Sequence, residues 1–137
     1  MQILAESLTI PGSVFEEHEI PSDPALVTPT VVRLTDKLVE LGWLSRKNKG
    51  RIQLCLDEAI TNSMVHGNKE DFDKKVHIRL WRDTDGWGIA ITDEGEGFSL
   101  EDLTPSGMDE DSLWNEDGRG LALMTLYMDE VTYYDNG

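Results

Sequence analysis

Leu56-Asp57-Glu58-Ala59-Ile60-Thr61-Asn62-Ser63-Met64-Val65-His66-Gly67-Asn68 carries more of this chain's organisation than any other stretch. Its apolar residues continue a pattern begun upstream. Ile52, Cys55, Leu56, Ala59 and Ile60 fall on one side of a helix predicted over about 48–65, with His66-Gly67-Asn68 as its stop. Glu58 and Asn62 interrupt the pattern. Spaced by one helical turn, they share a face, with Asn62 about 6 Å further along the axis. His66 extends the same stripe. A carboxylate so placed can polarise an attacking hydroxyl or water, and an amide oxygen is a hard ligand suited to Mg²⁺. Taken alone, such a pair is most often a solvated helix face, and His66 a cation at a helix C-terminus.

Downstream, 76–82 and 87–92 are rich in β-branched and aromatic residues and are joined by Asp83-Thr84-Asp85-Gly86, which predicts a β-hairpin. Val76, Ile78 and Leu80 share one face of the first strand and are expected to pack beneath Ile52, Leu56 and Ala59, leaving Arg79 and Trp81 outward. The second strand runs into Asp93-Glu94-Gly95-Glu96-Gly97-Phe98. An Asp at a strand end can accept a hydrogen bond from an exocyclic amine, and the glycines let backbone lie against a flat base. The bland alternative is an acidic turn closing a strand, with Glu94 and Glu96 solvated. A long stretch without sustained period, 93–117, then leads to Gly118-Arg119-Gly120-Leu121, which opens a helix predicted over 121–128. Backbone N–H groups at such a helix start can bind an anion, with Arg119 adding mobile charge; by itself the same motif is an ordinary cap. A strand over 131–134 follows.

Upstream, 14–20 reads as a strand. Pro21, Pro24 and Pro29 mark an irregular approach to a helix over 29–41, with Thr28 as N-cap, Pro29 at the first position, and Gly42 past the end. Residues 1–13 are poorly patterned and are expected to form an arm, loose or swapped. Residues 14–137 are expected to form one domain.

The three motifs occur in order. Residues 56–68, then Asp93-x-Gly95-x-Gly97-Phe98, then Gly118-Arg119-Gly120-Leu121-Ala122-Leu123-Met124 resemble the N, G1 and G2 boxes of the GHKL ATPase superfamily, the histidine kinase-like ATPase domains. The resemblance covers roughly 14–134. Within that superfamily the small size and the ending over 121–131 look most like the anti-sigma-factor serine/threonine kinases of bacterial partner-switching systems. It implies a two-layer α/β sandwich, with a mixed, mainly antiparallel sheet and the helices on one face. ATP and Mg²⁺ are the implied ligands. Carried onto this sequence, it makes Glu58 the general base, Asn62 the Mg²⁺ ligand and Asp93 the reader of adenine. Gly95, Gly97 and Phe98 would lie beside the base, His66 would belong to the nucleotide site, and Gly118, Arg119, Gly120 and Leu121 would lie near the phosphates. It further implies a kinase that phosphorylates a serine on an anti-anti-sigma partner and sequesters a sigma factor; a homodimer is compatible with it. Two rivals stand beside this expectation: a non-catalytic module that binds ATP or sequesters a partner, and a hydrolase whose acceptor is water. Family members generally continue into a further strand bearing a Thr near adenine. Here the sequence stops at Asp135-Asn136-Gly137, so that final strand is expected to be truncated.

Composition narrows the partners. In 137 residues, 12 Lys and Arg face 27 Asp and Glu, a net charge of −15. Nucleic acid is therefore not expected, because its binding draws on Lys and Arg neutralising phosphates. Basic protein surfaces are favoured, and a nucleotide needs local positive potential from a divalent cation and backbone N–H groups. The acidic residues of 109–117 are expected to face water. The sole cysteine, Cys55, excludes an intrachain disulfide and is expected to pack as a small hydrophobe. Without a signal-peptide pattern or an apolar run of spanning length, a cytoplasmic protein away from membranes is expected.

Overall fold

The computed structural model describes residues 2–4, 12–95 and 132–134, the first and last of these as backbone only. Chain order is β1 (Gln2–Leu4), β2 (Ser13–Pro21), α1 (Val27–Glu40), α2 (Lys49–Asn62), β3 (Lys75–Arg82), β4 (Trp87–Asp93) and β5 (Thr132–Tyr134). A 3-10 turn, Pro24–Leu26, leads into α1, and a π-helical turn, Ser63–Gly67, continues α2.

Strict alternation builds β3, the middle strand of an antiparallel β2-β3-β4 sheet. Val76, Ile78 and Leu80 are fully buried, while Lys75, His77, Arg79 and Trp81 point to the other face. Register carries the division to both neighbours: Ile20 and Asp93 flank Val76, and Ile91 and Ile89 stand opposite Ile78 and Leu80. The β3–β4 turn closes through Asp83 N–H to the Gly86 carbonyl (2.9 Å), and the Asp83 carboxylate accepts from Asp85 and Gly86 N–H (2.8 and 2.9 Å). On the outer face the Trp81 ring lies against Gly88, filling the space a side chain there would need.

Both helices cover the inner face. Val31, Leu34 and Leu38 of α1 and Ile52, Leu56 and Ile60 of α2 join Ile20, Val76, Ile78 and Leu80 in one core. Ala59, expected in that stripe, is half-buried. The helices are also tied to each other by the Lys49–Asp36 ion pair and by Gln53 donating to Thr35 Oγ1 (3.0 Å). This is an α/β sandwich with helices on one side of an antiparallel three-stranded sheet; among the described residues the parallel β1–β5 pair forms a separate two-stranded sheet, not part of one mixed sheet.

Helix α1 begins two residues before the expected Thr28-Pro29 start. Asp23 caps the 3-10 turn by accepting from Ala25 N–H (3.0 Å), and that turn feeds directly into Val27. Pro29 is tolerated because a first-turn N–H has no intrahelical acceptor to lose. The C-terminal expectation holds: Gly42, at φ +77°, takes the left-handed position after Leu41. Gln2–Leu4 pairs in parallel with Thr132–Tyr134, so part of the unpatterned N-terminal stretch is a strand.

Candidate functional site

The C-terminal end of α2 departs from a plain helix. After Asn62 the backbone widens: Asn68 N–H bonds to the Ser63 carbonyl at 2.8 Å, an i→i+5 step. Lys69 and Glu70 then take left-handed backbone (φ 54° and 61°), turning the chain sharply toward β3. Glu58 and Asn62 lie before the widening and keep their common face, both half-buried. His66 lies inside it. Because a π turn rotates less per residue than an α turn, His66 does not simply prolong the Glu58–Asn62 stripe.

The widening brings Gly67 against the end of β4. Asp93 projects from the helix-facing side of that strand, opposite Val76, and is 7% exposed. A Cβ placed on Gly67 would run into the Asp93 side chain, with Asp93 Cβ at 2.8 Å. One placed on Gly95 would run into the Gly67 carbonyl, with its carbon at 2.8 Å. Helix end, strand end and the loop that follows therefore touch at positions where only glycine fits. Gly95 N–H also donates to Asp93 Oδ1 (3.0 Å), holding the carboxylate in place.

Asn68 completes this junction. It is fully buried and uses both ends of its amide: Nδ2 donates to Ser22 Oγ (2.9 Å) and the Lys75 carbonyl (3.0 Å), while Oδ1 accepts from Glu94 N–H (2.8 Å) and Gly95 N–H (3.0 Å). Ser22 Oγ in turn donates to the Lys74 carbonyl (2.7 Å). Glu94 is exposed, as the acidic-turn reading had it, yet engaged. Its carboxylate accepts from Lys75 N–H (2.5 Å) and meets His77 Nε2 (3.1 Å), and His77 and Lys75 both reach Glu19. The sequence reading missed these functions of Asn68, Ser22, His77 and Glu94. Asn68 was visible as the last residue of the motif, but its partners are remote in the chain.

Electrostatics set Glu58 apart. Burial, and secondarily the neighbouring Asp57 carboxylate, hold its carboxyl above the ordinary Glu value, which favours a group that gives and takes protons nearer neutrality. Glu94 is shifted the other way by the Lys75 N–H bond and by His77. Burial pushes the Cys55 thiol up to about 11, so it is inert packing. Among the described residues no three His, Cys, Asp or Glu side chains cluster as a metal cage. Asn62 offers one neutral oxygen at a half-exposed position, a donor set that suits Mg²⁺, which keeps most of its waters and shares phosphate oxygens, and suits a transition metal poorly.

Of the residues singled out in the sequence, the structure gathers Asp93 and Gly95 at Gly67, in the turn that directly continues the helix carrying Glu58 and Asn62. Gly97, Phe98, Gly118, Arg119, Gly120, Leu121 and the helix over 121–128 lie outside the described residues. An open hollow lined by Ser13, Val14, Phe15, Arg82, Asp83 and Thr84 lies at the opposite end of the sheet from Asp93.

A sheet covered on one side by helices, with the end of one helix knitted by glycines to the end of a strand, is the architecture of a GHKL-type ATPase domain. A profile of the histidine kinase-like ATPase domain matches residues 20–137, and the chain belongs to that family. It is 31% identical over 121 residues to the serine-protein kinase RsbW of Bacillus subtilis, a match covering 84% of this chain and 74% of that protein. It is 32% identical to RsbW of Listeria monocytogenes over 63% of this chain and 59% of that one. The anti-sigma F factor of Bacillus velezensis is 32% identical over 59% of this chain and 56% of its own length. The family implies use of ATP. No helix among the described residues is long and apolar enough to cross a membrane.

Proposed function

We propose that this domain binds ATP with Mg²⁺ and transfers the γ-phosphoryl group to a serine of a partner protein of the anti-anti-sigma type, and that it also sequesters a sigma factor. One observation carries the reading: the glycine junction at Gly67, Asp93 and Gly95 fixes a strand-end carboxylate to the end of the helix that bears Glu58 and Asn62. A nucleotide lying along that helix end would put its base at Asp93 and its phosphates toward Asn62. Relatives named as serine-protein kinases and as an anti-sigma factor support the choice of reaction and partners.

In this reading Asp93 accepts from the exocyclic amine of adenine, and Gly95, closed against the Gly67 carbonyl, holds that carboxylate beside the base. His66 borders the nucleotide. Gly97, Phe98, Gly118, Arg119, Gly120 and Leu121 would complete the base and phosphate contacts. Asn62 would hold Mg²⁺, which when bound neutralises charge on the phosphate oxygens. Glu58 accepts the serine proton as Oγ bonds to the γ-phosphorus and the bond to the leaving ADP oxygen breaks. Burial and the Asp57 carboxylate hold the Glu58 carboxyl above its ordinary value, which makes its carboxylate a stronger proton acceptor than an unperturbed one.

The test is incubation of the full chain with γ-labelled ATP, Mg²⁺ and a candidate anti-anti-sigma protein. Label on a serine of the partner is the expected result. Free labelled phosphate alone would make the domain a hydrolase, and bound ATP with no turnover would make it a binding module; either would overturn the kinase reading.

A further inference from the structure

We propose that Asn68 is a positioning residue that sets the selectivity of this site for adenine; the inference rests on the reading above that Asp93 contacts the base. Asn68 itself lies beneath the site and is fully buried, so it cannot touch a ligand. What it touches is the loop that would. Its Oδ1 accepts from two successive backbone N–H groups, Glu94 (2.8 Å) and Gly95 (3.0 Å), and Gly95 N–H is also the donor that orients Asp93 Oδ1. Its Nδ2 is anchored to Ser22 Oγ and to the Lys75 carbonyl, on the segments that leave β2 and enter β3.

The chemistry requires an amide. Oδ1 must accept while Nδ2 donates on the other side, and among side chains of this size only Asn does both without charge. A carboxylate would face the Ser22 and Lys75 acceptors with no proton to give. An apolar residue would leave the Glu94 N–H and the Lys75 carbonyl buried or seeking water. The apolar change frees the inner side of the loop, and the carboxylate cuts the anchor to Ser22 and Lys75, while β4 itself stays paired to β3 along its whole register. The predicted failure is therefore specific: Asp93 remains in the chain but loses its fixed direction.

Base selectivity reports that direction. A fixed carboxylate favours adenine, which presents an amine donor, and rejects guanine, which presents a carbonyl oxygen at the corresponding edge; discrimination of this kind depends on polar groups held where they cannot relax. Titrations of ATP and GTP, each with Mg²⁺, into wild type, Asn68→Ala and the remote core variant Thr35→Val would test it, with Tm measured for each. Thr35 is fully buried in α1, where its hydroxyl donates to the Val31 carbonyl and accepts from Gln53 near the start of α2, with no bond to the loop that Asn68 holds, so it controls for lost stability. The expected result is an ATP Kd raised ~10–100-fold in Asn68→Ala with GTP little changed, so that the ATP/GTP preference collapses, while Thr35→Val loses stability and keeps the preference. Loss of preference in both variants, or retention in Asn68→Ala, would overturn the role of Asn68. A wild type that does not prefer ATP would instead refute the contact of Asp93 with adenine. Should Asn68→Ala not fold, hydrogen exchange on nucleotide-free wild type decides: Glu94 and Gly95 amides protected as strongly as those of β4 support a loop held in advance, and free exchange there overturns it.

Discussion

Gly95→Ala is the sharpest single test of the junction. The added methyl would stand 2.8 Å from the Gly67 carbonyl carbon, closer still to its oxygen, and 3.4 Å from Asp93 Oδ1. Neither neighbour can step aside cheaply. Gly67 is fixed inside the π turn, and the Asp93 side chain is packed against Gly67 on its other side. Relief therefore requires the loop and the helix end to separate by on the order of 1 Å, an overpacking strain of about 1–3 kcal/mol. The functional loss should be larger in proportion, since a displacement of about 1 Å in positioning groups costs on the order of 10²-fold in rate. Thermal denaturation gives the first quantity, and ATP titration with phosphotransfer to the partner protein gives the second. Gly50→Ala is the matched control: Gly50 is exposed in the first turn of α2 with nothing within 4 Å of an added Cβ, so alanine there should stabilise by about 0.5–1 kcal/mol. Wild-type ATP affinity and Tm in Gly95→Ala would refute the claim that the two glycines join helix and strand.

Glu58→Gln should abolish phosphotransfer, by about 10²–10⁴-fold, with ATP affinity largely kept. It should also raise Tm near neutrality. The folded state holds the Glu58 carboxyl above its unfolded value, so its penalty is fully present above the folded pKa and absent below the unfolded one; the Tm advantage should vanish in acid. Glu94→Gln should behave oppositely. With the folded value lowered, the Glu94 contribution is present above the unfolded pKa and lost as pH falls through the folded one, so wild type should exceed the variant near neutrality and converge with it in acid melts. Leu38→Ala, at a fully buried core position, should cost about 2–5 kcal/mol in denaturant unfolding without changing the ATP/GTP preference.

What the sequence disclosed follows the range over which each feature is determined. Val76, Ile78 and Leu80 announce a one-sided strand because alternation is local, and Asp83 to Gly86 announces its turn because the Asp83 carboxylate bonds within the turn itself. Glu58 and Asn62 were legible as a shared face for the same reason. The π turn was not. Residues 63–67 continue the helical spacing, and what accompanies the widening is the seat of Gly67 on Asp93, a contact that no window around Ser63 contains. Asn68 likewise has its bonding set by Ser22 and Glu94, on different segments. Helix α1 started early because a 3-10 turn capped by Asp23 feeds it, which a search for an N-cap beside Pro29 passes over. A strand of three residues such as Gln2–Leu4 is too short to show any period, and its partner lies at the other end of the chain.

The acidity of the chain gives the junction a further significance. With a net charge of −15, the molecule as a whole repels a triphosphate, so affinity cannot come from long-range attraction and must come from groups held ready at short range. Backbone and amide dipoles meet that need when they are fixed in advance, because they add no reorganisation on binding. At the base end, the structure fixes the loop that follows Asp93 from two sides. Inside, Asn68 holds the Glu94 and Gly95 N–H groups; outside, the Glu94 carboxylate is tied to the backbone of Lys75 and to His77, which is itself tied to Glu19. A loop clasped on both faces leaves Asp93 little freedom to turn. Selectivity for the base would then arise from hydrogen bonds that never reach it, and the helix bearing Glu58 and Asn62 shares in that rigidity because its last turn is part of the clasp.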